Sequence, residues 1–67
     1  MKLITVDDVA KILCVSEKTV YRLIWSGTLK AAKIGGQWRI DVEWVDEYVE
    51  RQLNKSVHKG GNYGSSS

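Results

Sequence analysis

The sequence predicts a small, mostly α-helical domain in which three helices carry one β-hairpin. Two capped amphipathic segments follow each other closely within the first 27 residues. A Gly-Gly pair then separates two short runs, and a third amphipathic segment follows an aspartate. With 67 residues and no proline, the chain is expected to form a single domain with a small core.

The first helix is predicted from Thr5 to Leu13. Threonine is a favourable N-cap, and Asp7 and Asp8 follow it where the helix dipole favours negative charge. Apolar residues recur on one side at helical spacing, namely Val6, Val9, Ala10 and Leu13. This segment therefore has one face to bury.

The second helix is predicted from Ser16 to Gly27. The Ser16 hydroxyl can accept a hydrogen bond from a free amide of the first turn, and Gly27 tolerates the left-handed conformation that ends a helix. Val20, Leu23 and Ile24 form its apolar face. The rest of its circumference mixes charges, a hydroxyl and aromatic rings, at Glu17, Lys18, Thr19, Tyr21, Arg22 and Trp25.

Only Cys14 and Val15 separate the first helix from the Ser16 cap. Two short helices joined by about three residues form a helix-turn-helix, whose second helix enters the major groove of DNA. The two segments alone fit an ordinary αα-hairpin equally well. Cys14 is expected to be a small, semi-buried side chain of the turn, because neither a base nor a cleft that would activate a thiol is indicated.

A hairpin is predicted within residues 28–40, with Gly35 and Gly36 at its tip. A two-residue turn would mix polar and apolar side chains on both faces, whereas a loop that includes Gln37 keeps the apolar ones together. The longer loop is therefore predicted, and it pairs Ile34 with Trp38, Lys33 with Arg39 and Ala32 with Ile40. The two opposed cations are tolerable if a phosphate lies between them. This hairpin is interpreted as a wing.

The third helix is predicted from Val42 to about Leu53, with Asp41 as its cap, and is interpreted as scaffold. Its apolar stripe consists of Val42, Val45, Val49 and Leu53, whereas Trp44 is expected to be half exposed. The acids Glu43, Asp46, Glu47 and Glu50 are expected to form a solvated face, because no metal-ligand spacing accompanies them.

Residues 54–67 contain one aliphatic residue, Val57, and are expected to be a flexible tail in which His58 is solvated.

The charge distribution favours a polyanionic partner. Residues 1–40 carry a net charge of +4 and residues 41–53 a net charge of −4.

The sequence shows no Ser/His/Asp set, phosphate loop, zinc spacing, signal-peptide pattern or membrane-spanning run, so an enzyme, a cofactor, a metal site and a membrane partner are not expected. A single cysteine fits a reducing, cytoplasmic location.

The segment LITVDDVAKILCVSEKTVYRLIWSGTLKAAKIGGQWRIDVEWVDEYVERQ resembles the excisionase/MerR-like winged helix-turn-helix domains of bacteria and their phages. The more specific parts are VSEKTVYRLIWSG and KIGGQWRI followed by a helix. The resemblance implies a recognition helix in the major groove, a wing on the adjacent minor groove or its phosphates, and a third helix that supports the wing. The resemblance covers about residues 3–52. Together with the composition of the last residues, it predicts a domain over residues 1–53 and a tail over residues 54–67.

The same resemblance implies DNA contacts from Ser16, Lys18, Thr19, Tyr21 and Arg22 on the second helix and from Lys33, Gly35, Gly36, Gln37 and Arg39 on the wing. Arg22 is expected to contact a guanine edge or a phosphate, and Ser16 and Thr19 to hold phosphate oxygens. Trp38 is expected to anchor the hairpin in the core. Family wings often carry arginine at the tip, which this chain lacks, and family turns often carry glycine where it has Cys14. A positive φ at Cys14 would cost about 1 kcal/mol.

The expected function is sequence-specific binding of double-stranded DNA, either as an excisionase (a recombination directionality factor) or as a small transcriptional regulator. An excisionase would act by bending the duplex, with an integrase or recombinase, or neighbouring copies on the DNA, as further partners. The alternative is a protein-interaction module that docks another protein through its helix-turn-helix, with Trp25 and Trp44 as anchors.

Overall fold

The computed structural model describes residues 1–56, and residues 57–67, with most of the predicted tail and His58, lie outside this part. The described chain forms three helices and a three-stranded antiparallel sheet, which confirms the predicted fold class. The elements are β1 (Leu3–Ile4), α1 (Val6–Leu13), α2 (Glu17–Trp25), β2 (Ala32–Ile34), β3 (Gln37–Asp41) and α3 (Val42–Ser56). Within residues 1–56, no helix combines the length and apolar character needed to cross a membrane.

The sheet has the order β1-β3-β2, so β3 is its central strand. Strand β1 pairs Leu3 with Asp41 and Ile4 with Ile40, and the Val42 amide donates to the Lys2 carbonyl over 3.0 Å. The sequence did not predict β1, because two residues are too few to show an alternating pattern. This short strand fixes the start of α1 beside the end of the hairpin.

The predicted register of the hairpin is wrong. Strands β2 and β3 pair Ala32 with Arg39, Lys33 with Trp38 and Ile34 with Gln37, so the loop contains two residues rather than three. Gly35 and Gly36 have φ values of 60° and 83°, as a type I′ turn requires, and the twist of that turn matches the twist of the flanking strands. Gln37 accordingly begins β3 and is not part of the loop.

The prediction failed because it assumed that both strands bury their apolar residues on a shared face. Only β3 does so: Ile40 is fully buried and Trp38 packs against the core, whereas Ile34 is 50% exposed. The wing is thus anchored through one strand. The partial burial of Trp38 confirms its predicted role as a hairpin anchor.

The core lies where α1, α2, α3 and β3 meet. Its most deeply buried members are Val9 of α1, Val20 of α2, Leu29 of the following loop and Ile40 of β3, each at most 1% exposed. Val6, Ala10, Ile24 and Val45 complete it. The apolar stripes predicted for the first two helices are therefore the surfaces that pack together.

Helix α1 begins with a reciprocal capping box, which confirms Thr5 as its cap. The Thr5 amide donates to the Asp8 carboxylate over 3.1 Å, and the Asp8 amide donates to the Thr5 hydroxyl over 3.1 Å. Both hydrogen bonds lower the pKa of Asp8 below its ordinary value, and the one from the Thr5 amide has the larger effect.

Helices α1 and α2 end in the same way, although only one of them ends in glycine. After α2, the amides of Gly27 and Thr28 donate to the carbonyls of Ile24 and Leu23. After α1, the amides of Cys14 and Val15 donate in the same pattern to Lys11 and Ala10. Cys14 has a φ of 58° and Gly27 a φ of 79°, so the cysteine occupies a left-handed position that suits glycine. Cys14 is also exposed, not semi-buried as predicted, because its left-handed backbone closes the turn at the surface.

Helix α3 starts where Asp41 ends β3. The Asp41 carboxylate accepts a hydrogen bond from the Glu43 amide over 2.9 Å, which confirms it as the cap. The helix runs to Ser56, three residues beyond its predicted end, and the core reaches along it only as far as Val49. Leu53 of the predicted stripe is consequently 51% exposed. The boundary between domain and tail at residue 54 stays a prediction.

Replacing Cys14 by glycine is expected to stabilise the domain, because it removes the cost of a left-handed non-glycine residue, about 1 kcal/mol. The melting temperature measured by circular dichroism should rise by about 4–8 °C. Cys14→Ala is the matched control, since it removes the thiol but keeps the Cβ atom. If Cys14→Gly melts at the same temperature as Cys14→Ala, the backbone at this turn is not strained.

Acidification is expected to weaken the α1 cap. Since the folded pKa of Asp8 lies below its ordinary value of 3.8, its stabilising contribution is fully present above that value and is lost as the pH falls through the folded pKa. Asp8→Asn should therefore flatten the dependence of the unfolding midpoint on pH in this acidic range. Asp46→Asn, on the exposed side of α3, is the control, and an equal flattening in both variants would contradict the assignment to the capping box.

Candidate nucleic-acid interface

A groove of about 410 Å³ runs between α2, the start of α1 and the wing, which comprises residues 32–41. Its lining includes five of the ten predicted contact residues: Tyr21, Lys33, Gly36, Gln37 and Arg39. The fold thus brings the outer side of α2 and the wing to one concave surface, referred to here as the wing groove.

The remaining predicted contact residues lie outside the wing groove. Lys18 and Arg22 are exposed and lie four residues apart on α2, so their side chains project from the same side of the helix. Ser16 and Thr19 lie at its N-terminal end, and Gly35 is exposed at the tip of the wing. The two cations are therefore accessible to a partner that contacts α2.

The hydroxyls of Ser16 and Thr19 are already engaged with each other. The Thr19 amide donates to Ser16 Oγ over 3.1 Å, which confirms Ser16 as the cap of α2, and the two hydroxyl oxygens lie 3.0 Å apart. If Ser16 donates to Thr19, the Thr19 hydroxyl hydrogen is free for an external acceptor. The Thr19 hydroxyl can therefore donate one hydrogen bond to a phosphate while the hydrogen bond from the Thr19 amide to Ser16, which caps α2, stays in place.

Aromatic rings extend along the outer side of α2. Tyr21 is half-buried, and its ring stacks on Trp25 with the centroids 5.6 Å apart. Trp25 itself is 72% exposed at the end of the helix. This stack gives the outer side of α2 an aromatic surface at its C-terminal end.

Both wing cations are held by Trp38. Lys33 Nζ lies 5.4 Å from the centroid of its ring, and Arg39 donates to its carbonyl over 3.2 Å. The predicted direct opposition of Lys33 and Arg39 does not occur, because the shorter loop pairs Lys33 with Trp38. Both cations nevertheless line the wing groove.

The acidic helix α3 contributes no residue to the wing groove. It lies instead against the segment that follows α2, where Arg51 donates to the Thr28 carbonyl over 2.7 Å and Lys30 Nζ lies 5.7 Å from the Trp44 ring centroid. Trp44 is half-buried, as predicted. The carboxylates of α3 are therefore kept away from the groove that Lys33 and Arg39 line.

Sequence reasoning missed five residues of the groove lining: Thr5, Val6, Asp7, Glu17 and Trp38. The three at the start of α1, including its cap Thr5, follow directly on β1, whose pairing with β3 the sequence does not signal. Glu17 could have been found, because it lies four residues before Tyr21 and so on the same side of α2. Asp7 is paired with Lys11 over 3.3 Å, whereas Glu17 forms no ion pair within residues 1–56.

Within the described part of the chain, no group of three or more His, Cys, Asp or Glu side chains is arranged to hold a metal ion. The groove is an open surface whose charged lining consists of two cations, Lys33 and Arg39, and two carboxylates, Asp7 and Glu17.

Comparison with known proteins agrees with this geometry. The profile of the family described as "Helix-turn-helix domain" matches residues 3–53. Two curated relatives from Mycobacterium tuberculosis, "Putative DNA-binding protein Rv0500A" (strain H37Rv) and "Putative DNA-binding protein MT0521" (strain CDC 1551), are each 39% identical over 49 residues, which are 73% of this chain and 63% of the relative. The chain thus spans just under two thirds of the length of these relatives.

A third relative, "Uncharacterized protein YvgK" of Bacillus subtilis, is 46% identical over 44 residues, which are 66% of this chain and 14% of that protein. No solved structure matches the chain at a significant level. The family match covers more than half of the sequence and includes both α1 and α2 with the wing. The chain belongs to the helix-turn-helix domain family.

Proposed function

We propose that the chain binds double-stranded DNA, with α2 in the major groove and the wing on the adjacent backbone. The observation that carries this proposal is that α2 and the wing line one groove, with Lys33 and Arg39 in its lining. Lys18 and Arg22 are two further exposed cations on α2. Family membership and two relatives named as DNA-binding proteins support it.

Each element has a distinct part in this proposal. Arg22 contacts a guanine edge or a phosphate, Lys18 meets the backbone beside it, and Thr19 donates to a phosphate. Lys33 and Arg39 hold the strand that passes between the helix and the wing, where Tyr21 also lines the groove. Gly35 and Gly36 form a small wing tip without a cation and Gln37 follows at the start of β3, so contacts with the minor groove are weak.

The finer role we propose is that of an excisionase or a small transcriptional regulator. One domain with a single short recognition helix covers few base pairs, so useful affinity requires neighbouring copies on the DNA or a partner such as an integrase. An excisionase would use several adjacent copies to bend the duplex.

A protein-docking function is the second candidate. Trp25 is 72% exposed and its ring stacks on Tyr21, and a large preorganised aromatic surface is typical of interface anchors. Such a partner would cover the same side of α2 that DNA binding requires. The two functions are therefore alternatives for that surface, and the salt response separates them.

Fluorescence anisotropy with duplex DNA over a salt series is expected to show affinity falling with salt. The log–log slope should be about −3 to −5, because roughly four or five phosphates are contacted. Lys33→Ala should reduce the magnitude of this slope by about 1. Lys30→Ala, beside Trp44 and away from the wing groove, is the matched control and should leave it unchanged. A flat salt response would favour protein docking.

Arg22→Ala is expected to weaken discrimination among duplex sequences by about 1–3 kcal/mol if Arg22 reads a guanine. The measurement is the ratio of affinities for a selected and a scrambled duplex, with the unfolding midpoint as a check on the fold. Lys30→Ala again serves as control. A uniform loss of affinity across all sequences would assign Arg22 to a phosphate instead.

A further inference from the structure

We propose that Glu17 sets a base preference by accepting a hydrogen bond from an exocyclic amino group in the major groove, cytosine N4 foremost. Glu17 is not among the residues that the family resemblance implicates. The inference rests on the proposed DNA binding by α2 and deepens it, because it names the chemistry that one position of the target must present.

The position of Glu17 is the first argument. It is the first residue of α2, and recognition helices contact base edges mainly through their N-terminal residues. Its side chain is exposed and lines the wing groove, as does that of Tyr21 one turn later. A duplex with α2 in its major groove therefore presents base edges to the end of the helix that carries this carboxylate.

The second argument is that the hydrogen-bonding capacity of Glu17 is unused. Within residues 1–56 the single ion pair joins Asp7 to Lys11, and the Asp8 carboxylate accepts from the Thr5 amide. Glu17 has neither kind of partner, although Lys33 and Arg39 line the same groove. Of the two carboxylates in the wing groove, Glu17 is the one left free for an external donor.

The third argument concerns what a carboxylate does at a DNA surface. An ionised carboxylate only accepts hydrogen bonds, and every phosphate repels it. Guanine and thymine present only acceptors in the major groove, whereas cytosine N4 and adenine N6 are donors. Glu17 therefore weakens binding to duplexes in general and recovers free energy only where an amino group faces it. Such a group adds selectivity at the expense of affinity.

The test is selection of binding sites from a randomised duplex pool by the full chain, carried out for the wild type, Glu17→Ala and Asp7→Asn. Asp7→Asn is the matched control, since it removes a negative charge from the same groove but from a carboxylate already paired with Lys11. The wild type should enrich one base pair in one orientation at one position, a C·G pair foremost. Glu17→Ala should reduce that enrichment about tenfold or more while keeping the preferences elsewhere. Asp7→Asn should bind random duplex more tightly with unchanged preferences.

Three outcomes overturn the proposal. If Glu17→Ala keeps every base preference, Glu17 acts only through its charge. If Glu17→Ala relaxes all positions of the selected site equally, the carboxylate is not accepting from one base. If the wild type binds no duplex, the proposed function itself fails, and this result is distinguished from the first two because nothing is enriched. Thermal unfolding of each variant verifies that the fold is intact.

Discussion

The burial of Ile40 in the middle of β3 is the constraint on which the rest of the molecule depends. Strand β3 pairs with β1 and β2 and packs against α1 and α3, and Ile40 is fully buried among them. Helix α2 is in turn fixed by its packing on α1. The wing groove exists because one strand holds the hairpin and the two N-terminal helices in a fixed relation.

Local features of the fold were readable from the sequence because their causes are local. The caps at Thr5, Ser16 and Asp41 depend on side chains that bond to amides two or three residues away. The helical stripes were equally clear, since apolar side chains recur at the helical period. The C-terminal end of α3 could not be predicted in this way. Whether Leu53 is buried depends on how far the core extends along the helix, and that is not a local property.

The register of the wing shows where sequence reasoning fails. The pattern of apolar residues favoured pairing Ile34 with Trp38, yet the preference of two adjacent glycines for a tight turn decided the outcome. Strand β1 pairs with the other edge of β3, so β3 is held in the sheet by a partner that does not depend on the turn. The outward side of α2 could be predicted from its period alone, but the presence of Thr5 and Asp7 in the groove required β1.

The separation of roles along α2 has a consequence for how such a domain can diverge. Val20 and Ile24 are buried in the core, whereas Lys18 and Arg22 on the same nine-residue helix are exposed. Residues that secure the fold and residues that face outward therefore occupy different positions of one helix. The outward-facing residues can therefore be replaced during evolution without disturbing the core. Duplicated copies of this small domain can acquire new targets in this way while each intermediate still folds.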